Sequence, residues 1–219
     1  MERREGWRLV GGSTCLDFVN TVGGRVSRSR TARARDLADH ITRDDLTGYG
    51  ALLHWSRVAG LLSPSEASRL EARARESTAS AGRTFARAVA LREALYRIGK
   101  CLFEGWPLPS QDLETLDREV RDARQRQRLV DGRGRLATAW AEGEDALDRM
   151  LWPVALSAAE LFGSDALAQL KQCPGEDCGW LFLDTTRNHS RQWCEMADCG
   201  NLAKVRRFRQ RARKARRAS

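Results

Sequence analysis

No apolar stretch of this chain is long enough to cross a bilayer. The longest, Leu151 to Ala159, is interrupted by Pro153, whereas a spanning helix needs about 20 apolar residues. The opening Met1-Glu2-Arg3-Arg4-Glu5-Gly6-Trp7 has no hydrophobic region of the signal-peptide kind. A cytoplasmic protein with no membrane partner is therefore expected. Catalytic groupings are missing as well. His40 and His54 have no partner at metal-ligand or triad spacing, and no glycine-rich loop ends in Lys-Ser/Thr. Asp44-Asp45 and Glu144-Asp145 read as helix-start charges. The expectation is a non-enzyme without catalytic residues. Repeats are absent, and low complexity is confined to an Arg/Ala-rich end.

What is present begins with charge. The net +9 is unevenly spread: residues 200–219 hold nine basic side chains and no acidic one, while 173–199 hold two basic and five acidic. A terminal charge run is often only a solubilising end. Beside a metal module, it points to a phosphate-rich partner. Lysine supplies only four of the 38 basic residues; arginine is used throughout the body, so its dominance in the tail carries little weight. With 42% hydrophobic residues, a sizeable core can form.

Over the first 171 residues helical signals dominate. Leu9-Val10 reads as a short strand, Thr14 to Val22 as a helix capped by Ser13 or Thr14, and 23–35, with five arginines, as an exposed loop. A helix is expected from Thr47 to Ala59. Ser63-Pro64-Ser65-Glu66 is a capping box opening another to about Glu76. Ala88, Leu91, Leu95, Ile98 and Leu102 mark an apolar stripe on a helix from Thr84 to Phe103. One more helix runs from Gln111 to about Gln127. Arginines 121, 124, 126 and 128 sit at its end, where the helix C-terminus favours cations. A hairpin over Arg128 to Ala137 turns at Asp131-Gly132. A long helix through Leu147, Met150, Val154, Ala158 and Leu161 is expected to bend at Pro153, and a short one spans Ala166 to Lys171.

Four of six cysteines lie in the last fifty residues, which in a cytosolic chain points to metal rather than disulfides. Cys15 and Cys101 stand apart in apolar surroundings and read as small buried hydrophobes. The cluster is two couples, Cys173/Cys178 and Cys194/Cys199, each with four intervening residues and each ending Asp-Cys-Gly. Zinc takes four ligands in a tetrahedron, and a short loop lets two thiolates of one couple reach the ion together. One structural Zn2+ per chain on Cys173, Cys178, Cys194 and Cys199 is expected. His189 is left without a vacancy. A glycine after the second cysteine of each couple allows positive φ, so that N–H groups point at sulfur. Between the couples Trp180-Leu181-Phe182-Leu183 is strand-like, and its aromatics, with Trp193, suit a miniature core better than base stacking. After Cys199 a helix follows, with Leu202, Val205, Phe208, Ala212 and Ala215 on one side and basic residues on the rest.

At these residues the chain resembles the CGNR zinc-finger family. The match covers Cys173, Cys178, Gly179, Trp180, Phe182, Asp184, Arg187, Asn188, Arg191, Trp193, Cys194, Met196, Cys199, Gly200 and Asn201, then Lys204, Arg206 and Arg207; Leu202 replaces the arginine that gives the family its name. Gly11-Gly12 and Leu16-Asp17-Phe18-Val19-Asn20-Thr21 resemble the opening of the ABATE domain that accompanies this finger. The resemblance implies a bacterial stress-induced transcription regulator. The expected fold is mainly α with small β elements: an ABATE-like helical body over 1–171, which senses a small-molecule effector or forms a homodimer, and a treble-clef-like CGNR zinc finger with a basic helix over 172–219. The body is expected to fold without zinc. DNA is the expected partner, contacted by Arg187, Arg191, Lys204, Arg206, Arg207, Arg209, Arg211 and Arg213. RNA binding and a protein-interaction module are the alternatives.

Overall fold

The computed structural model describes residues 6–26, 40–141 and 146–218. Seven helices carry the fold, with three two-stranded antiparallel pairs among the described residues. The first helix, α1 (Thr14–Val19), begins after Ser13 and buries Cys15, Leu16, Phe18 and Val19. It leads directly into β1 (Val22–Val26), which pairs with β2 (His40–Asp44) in the register Val22 to Asp44 and Arg25 to Ile41. The start of the segment expected to be a loop is therefore a strand, and residues 27–35 of it lie outside the described residues. Leu9-Val10 does not form a strand. Instead Val10 is buried against the finger.

Helix α2 (Tyr49–Val58) follows a cap at Gly48, one residue past the threonine expected to serve. Helix α3 (Pro64–Glu76) opens on the capping box, both reciprocal bonds of Ser63 and Glu66 being made. The central helix, α4 (Thr78–Glu104), starts six residues before the expected Thr84. No apolar stripe announces that first turn, but Ala81 is buried in the core, and packing extends the helix past its sequence signal. Ala88, Leu91, Leu95 and Ile98 are all buried, as their spacing requires. Helix α5 (Ser110–Arg126) ends where the Arg128 guanidinium donates to the carbonyls of Gln125 and Gln127, each at 2.8 Å.

The strands β3 (Gln127–Asp131) and β4 (Leu136–Trp140) form the expected hairpin. Its turn is longer than Asp-Gly alone: Gly132 N–H bonds Arg135 O, and Asp131 accepts from Gly134 N–H. Helix α6 (Leu151–Phe162) begins at Leu151, so Pro153 falls in its first turn, where the missing N–H breaks no helical bond, and the expected mid-helix bend does not arise. A 3₁₀ turn (Asp165–Gln169) then passes the chain to β5 (Leu170–Gln172), which pairs with β6 (Leu181–Leu183). One hydrophobic core joins Leu16, Phe18, Trp55, Leu95, Ile98, Met150 and Val154 with Leu170, Leu181 and Leu183. The strand pair carrying the first cysteine couple is thus seated in the core of the helical body. Cys15 and Cys101 are fully buried.

Candidate metal centre and basic helix

Cys173 follows β5 directly, and 173–180 is the tight loop joining β5 to β6. Cys173 N–H donates to Trp180 O at 2.8 Å, closing the strand pair beneath the loop. Gly179 has φ +70 and lets the chain turn so that Trp180 N–H reaches the Cys178 sulfur. Gly175 and Cys194 likewise give backbone hydrogen bonds to Cys173. Gly200, the matching glycine of the second couple, serves differently: it lies in a π-helical turn (Met196–Gly200), and a Cβ there would collide with Met196 Sδ. That turn places Cys199 at the base of α7 (Asn201–Ala218).

The four sulfurs lie within 4.8 Å of one another. Cys178 and Cys194 Sγ are 3.5 Å apart, and Cys194 and Cys199 Sγ 3.6 Å, too far for disulfides. A tetrahedron with metal–sulfur distances of about 2.3 Å needs edges of about 3.8 Å, so the donor set fits zinc. A Cβ on Gly175 would sit 3.3 Å from Cys199 Sγ and 3.6 Å from Cys173 Sγ, so the backbone there is shaped around the sulfurs. Hydrogen bonds from Cys178 and Cys194 hold Cys173 well below the ordinary thiol range. The same sharing, with burial, pushes Cys194 far above it. A divalent cation relieves this competition by taking all four as thiolates. The site is that of a structural zinc ion, closed by four protein ligands. His189 is turned elsewhere, with Nδ1 3.2 Å from Asp184 O.

Around the sulfurs, Val10, Trp180 and Phe182 are buried and Trp193 packs against them, the miniature core that the aromatic spacing suggested. Trp180 Nε1 donates to Val22 O at 2.6 Å, and Arg25 N–H to Cys178 O at 3.2 Å, so β1 lies along the zinc loop. Asn20 bonds both backbone groups of Leu181, donating to its carbonyl at 2.8 Å and accepting from its N–H at 3.1 Å. Asp184 knots the turn after β6, accepting from Lys171 Nζ, Thr186 Oγ1 and the N–H groups of Thr186 and Arg191. Burial alone would raise its pKa, but Lys171 and Thr186 outweigh it and hold the carboxyl well below the usual range.

The residues expected to meet nucleic acid divide into groups. The Arg191 guanidinium is spent inward, donating to the carbonyls of Leu183, Val10, Trp193 and Cys194, 4.4 Å from the Phe182 ring centroid. Arg206 pairs with Glu176 at 2.9 Å and Asp177 at 3.7 Å, tying α7 to the zinc loop. Arg187, Lys204, Arg207, Arg209, Arg211 and Arg213 are exposed. The apolar stripe of α7 is uncovered: Leu202, Val205 and Phe208 are 52%, 46% and 74% exposed. The structural parts played by Asn20, Arg25 and Asp184 are not legible from the chain alone; Asn20 and Asp184 stood only within matched motifs.

No helix among the described residues is long and apolar enough to cross a membrane. No curated protein matches the chain. The model of the CGNR zinc finger matches residues 169–212. That of the ABATE family, described as "Putative stress-induced transcription regulator", matches 12–165. The chain belongs to the ABATE family and carries a C-terminal CGNR zinc finger.

Proposed function

We propose that this protein is a cytoplasmic, non-enzymatic transcription regulator that binds duplex DNA through the zinc finger and α7, the body over 1–171 sensing an effector or dimerising. The observation that carries the reading is the placement of α7. Its N-terminal end is tied to the zinc module through Cys199 just before it and through Arg206 in its second turn, while Lys204, Arg207, Arg209, Arg211 and Arg213 stand in solvent. A helix held at one end and basic along its length suits a phosphate backbone or a groove. Val205 and Phe208, exposed on the same helix, can meet thymine methyl groups in a major groove. Arg187, on the turn after β6, is a further contact. Arg191 and Arg206 act instead by holding the finger together.

The test is a salt titration of binding to random and selected duplexes. If about five phosphates are met, log affinity falls with log salt at a slope of roughly −4 to −5. Replacing Arg207, Arg209, Arg211 and Arg213 with alanine should flatten that slope, whereas replacing Arg121 and Arg124 on α5 should not. Preference for single strands would move the reading to RNA. Unchanged affinity in the α7 variant would move it to an acidic protein partner.

A further inference from the structure

A cavity of about 920 Å³ lies between the start of the body, with its β1–β2 pair, and the zinc loop with the first turns of α7. That is the size of a small-molecule site. Two features of its wall define what it can hold. The first is aromatic. Trp7, Trp55, Trp180 and Trp193, four of the seven tryptophans, line it, Trp7 and Trp193 being only half-buried. The second is charge. Three of the wall's arginines are matched by acids of the same wall: Arg8 with Asp198 at 2.5 Å, Arg43 with Asp45 at 2.9 Å, and Arg206 with Glu176 at 2.9 Å. Asp177 shares Arg206 at 3.7 Å and Asp17 accepts from Gly11 N–H, so by formal charge the described wall holds five acids, Asp17, Asp45, Glu176, Asp177 and Asp198, against the four arginines Arg8, Arg43, Arg206 and Arg207. Cys178, Cys194 and Cys199 also reach the wall, and a four-thiolate zinc centre adds about two negative charges. The cavity is therefore negative and indole-lined, a combination that attracts cations through both Coulomb and cation–π interactions.

We propose that this cavity is the effector site and that its ligand is an organic cation with an apolar or aromatic body. The proposal rests on the reading of the body as a sensor, and it adds where the ligand sits and which charge it carries. The geometry also supplies the link to α7. Leu202, Ala203, Arg206 and Arg207 line one side of the cavity and Gly23, Gly24 and Thr42 the other, so a bound ligand touches both the body and the helix. Occupancy then biases how α7 is held, and the coupling is reciprocal: a cation that changes DNA affinity has its own affinity changed by the same factor.

The experiment uses the full zinc-loaded chain and tryptophan fluorescence with calorimetry. The probes are tetraphenylphosphonium, benzyltrimethylammonium and, as a shape-matched anion, tetraphenylborate. Saturable one-to-one binding of at least one cation is expected, about tenfold or more tighter than the anion. Asp45→Asn and Asp17→Asn should each weaken the cation about threefold or more, and Arg207→Gln should tighten it. Asp45 is partly exposed, so its variant keeps the fold even if the Asp17 variant does not; zinc content and melting temperature check this. No binding of either cation, equal binding of cation and anion, or insensitivity to Asp45→Asn and Arg207→Gln would each overturn the proposal. These measurements contain no DNA, so their failure is separate from that of the DNA-binding reading. With the cation bound, a DNA affinity changed severalfold supports an effector role; an unchanged one overturns it.

Discussion

Arg191 and Asn20 show what a single residue's type reveals and what it hides. A basic side chain in a turn between zinc ligands is as good a phosphate contact as a clamp, and only coordinates say that its donors face carbonyls of Leu183, Val10, Trp193 and Cys194. The planar fork of arginine suits that task, and lysine cannot reproduce it. Asn20 makes two buried bonds to Leu181, across 161 residues of chain. Asn20→Ala leaves a buried N–H and a buried C=O without partners, and should cost about 2–4 kcal/mol, read as a lowered urea midpoint with an unchanged m-value. Asp17 makes a second residue-scale prediction. Burial pushes its pKa up to about 6 from the ordinary 3.8, against the hydrogen bonds from Gly11 and Val10. The folded chain therefore binds this proton more tightly than the unfolded one. The group favours folding most below about pH 4, and that contribution is lost as pH rises through about 6. Asp17→Asn does not titrate. The stability of the native protein relative to this variant should fall by up to about 3 kcal/mol between pH 4 and 6.5. A pH-independent difference in denaturant midpoints would contradict the burial argument.

Elements were legible where their signals are local. The capping box of α3, the stripe of α4 over 88–98 and the two cysteine couples depend on spacing alone, and each is present as spaced. Elements defined by distant partners were not. β1 contains Gly23-Gly24 and Arg25 between its two valines, a poor strand by propensity, yet β2 on one side and the zinc loop on the other give its backbone partners. The junction at Gly179 makes this testable. With φ +70 it disfavours a side chain, and a Cβ there would fall 2.5 Å from Arg25 O. Gly60 shares the conformation, at φ +73, but faces open space. Gly60→Ala should cost only the backbone strain, about 1 kcal/mol, whereas Gly179→Ala must also push β1 off the zinc loop and should cost clearly more. Thermal melts of the two variants compare them directly. Equal losses would mean that the contact between β1 and the loop adds nothing to stability.

At the scale of the whole molecule, the question is how the body depends on the metal. We propose the division of labour between 1–171 and 172–219 as one of role, body against finger. The end of apolar periodicity near Leu170 suggested independence in folding too, because nothing in the spacing of Leu181 and Leu183 says that they pack beside Leu16 and Ile98. In the structure they share one core. Among the contacts that cross the division are one backbone bond, Leu183 N–H to Gly11 O, and buried side-chain bonds to backbone groups, from Trp180 Nε1 to Val22 O and the pair that the Asn20 amide makes with Leu181. Zinc fixes both ends of the segment that supplies them, since Cys173 and Cys178 precede β6 and Cys194 and Cys199 follow it. Removing the metal should loosen 173–199 and with it the floor of the body's core, rather than releasing a free tail. A strong chelator should therefore lower the midpoint of a single thermal transition, followed by helical circular dichroism, by on the order of 10 °C or more. That corresponds to a few kcal/mol in a chain of this size. The double variant Cys178→Ser plus Cys199→Ser, which should retain no stoichiometric zinc, should reproduce the chelated melt and show no further response to chelator. A body transition that stays put while only 173–219 becomes open to protease would establish that the helical body folds without its metal-bound neighbour.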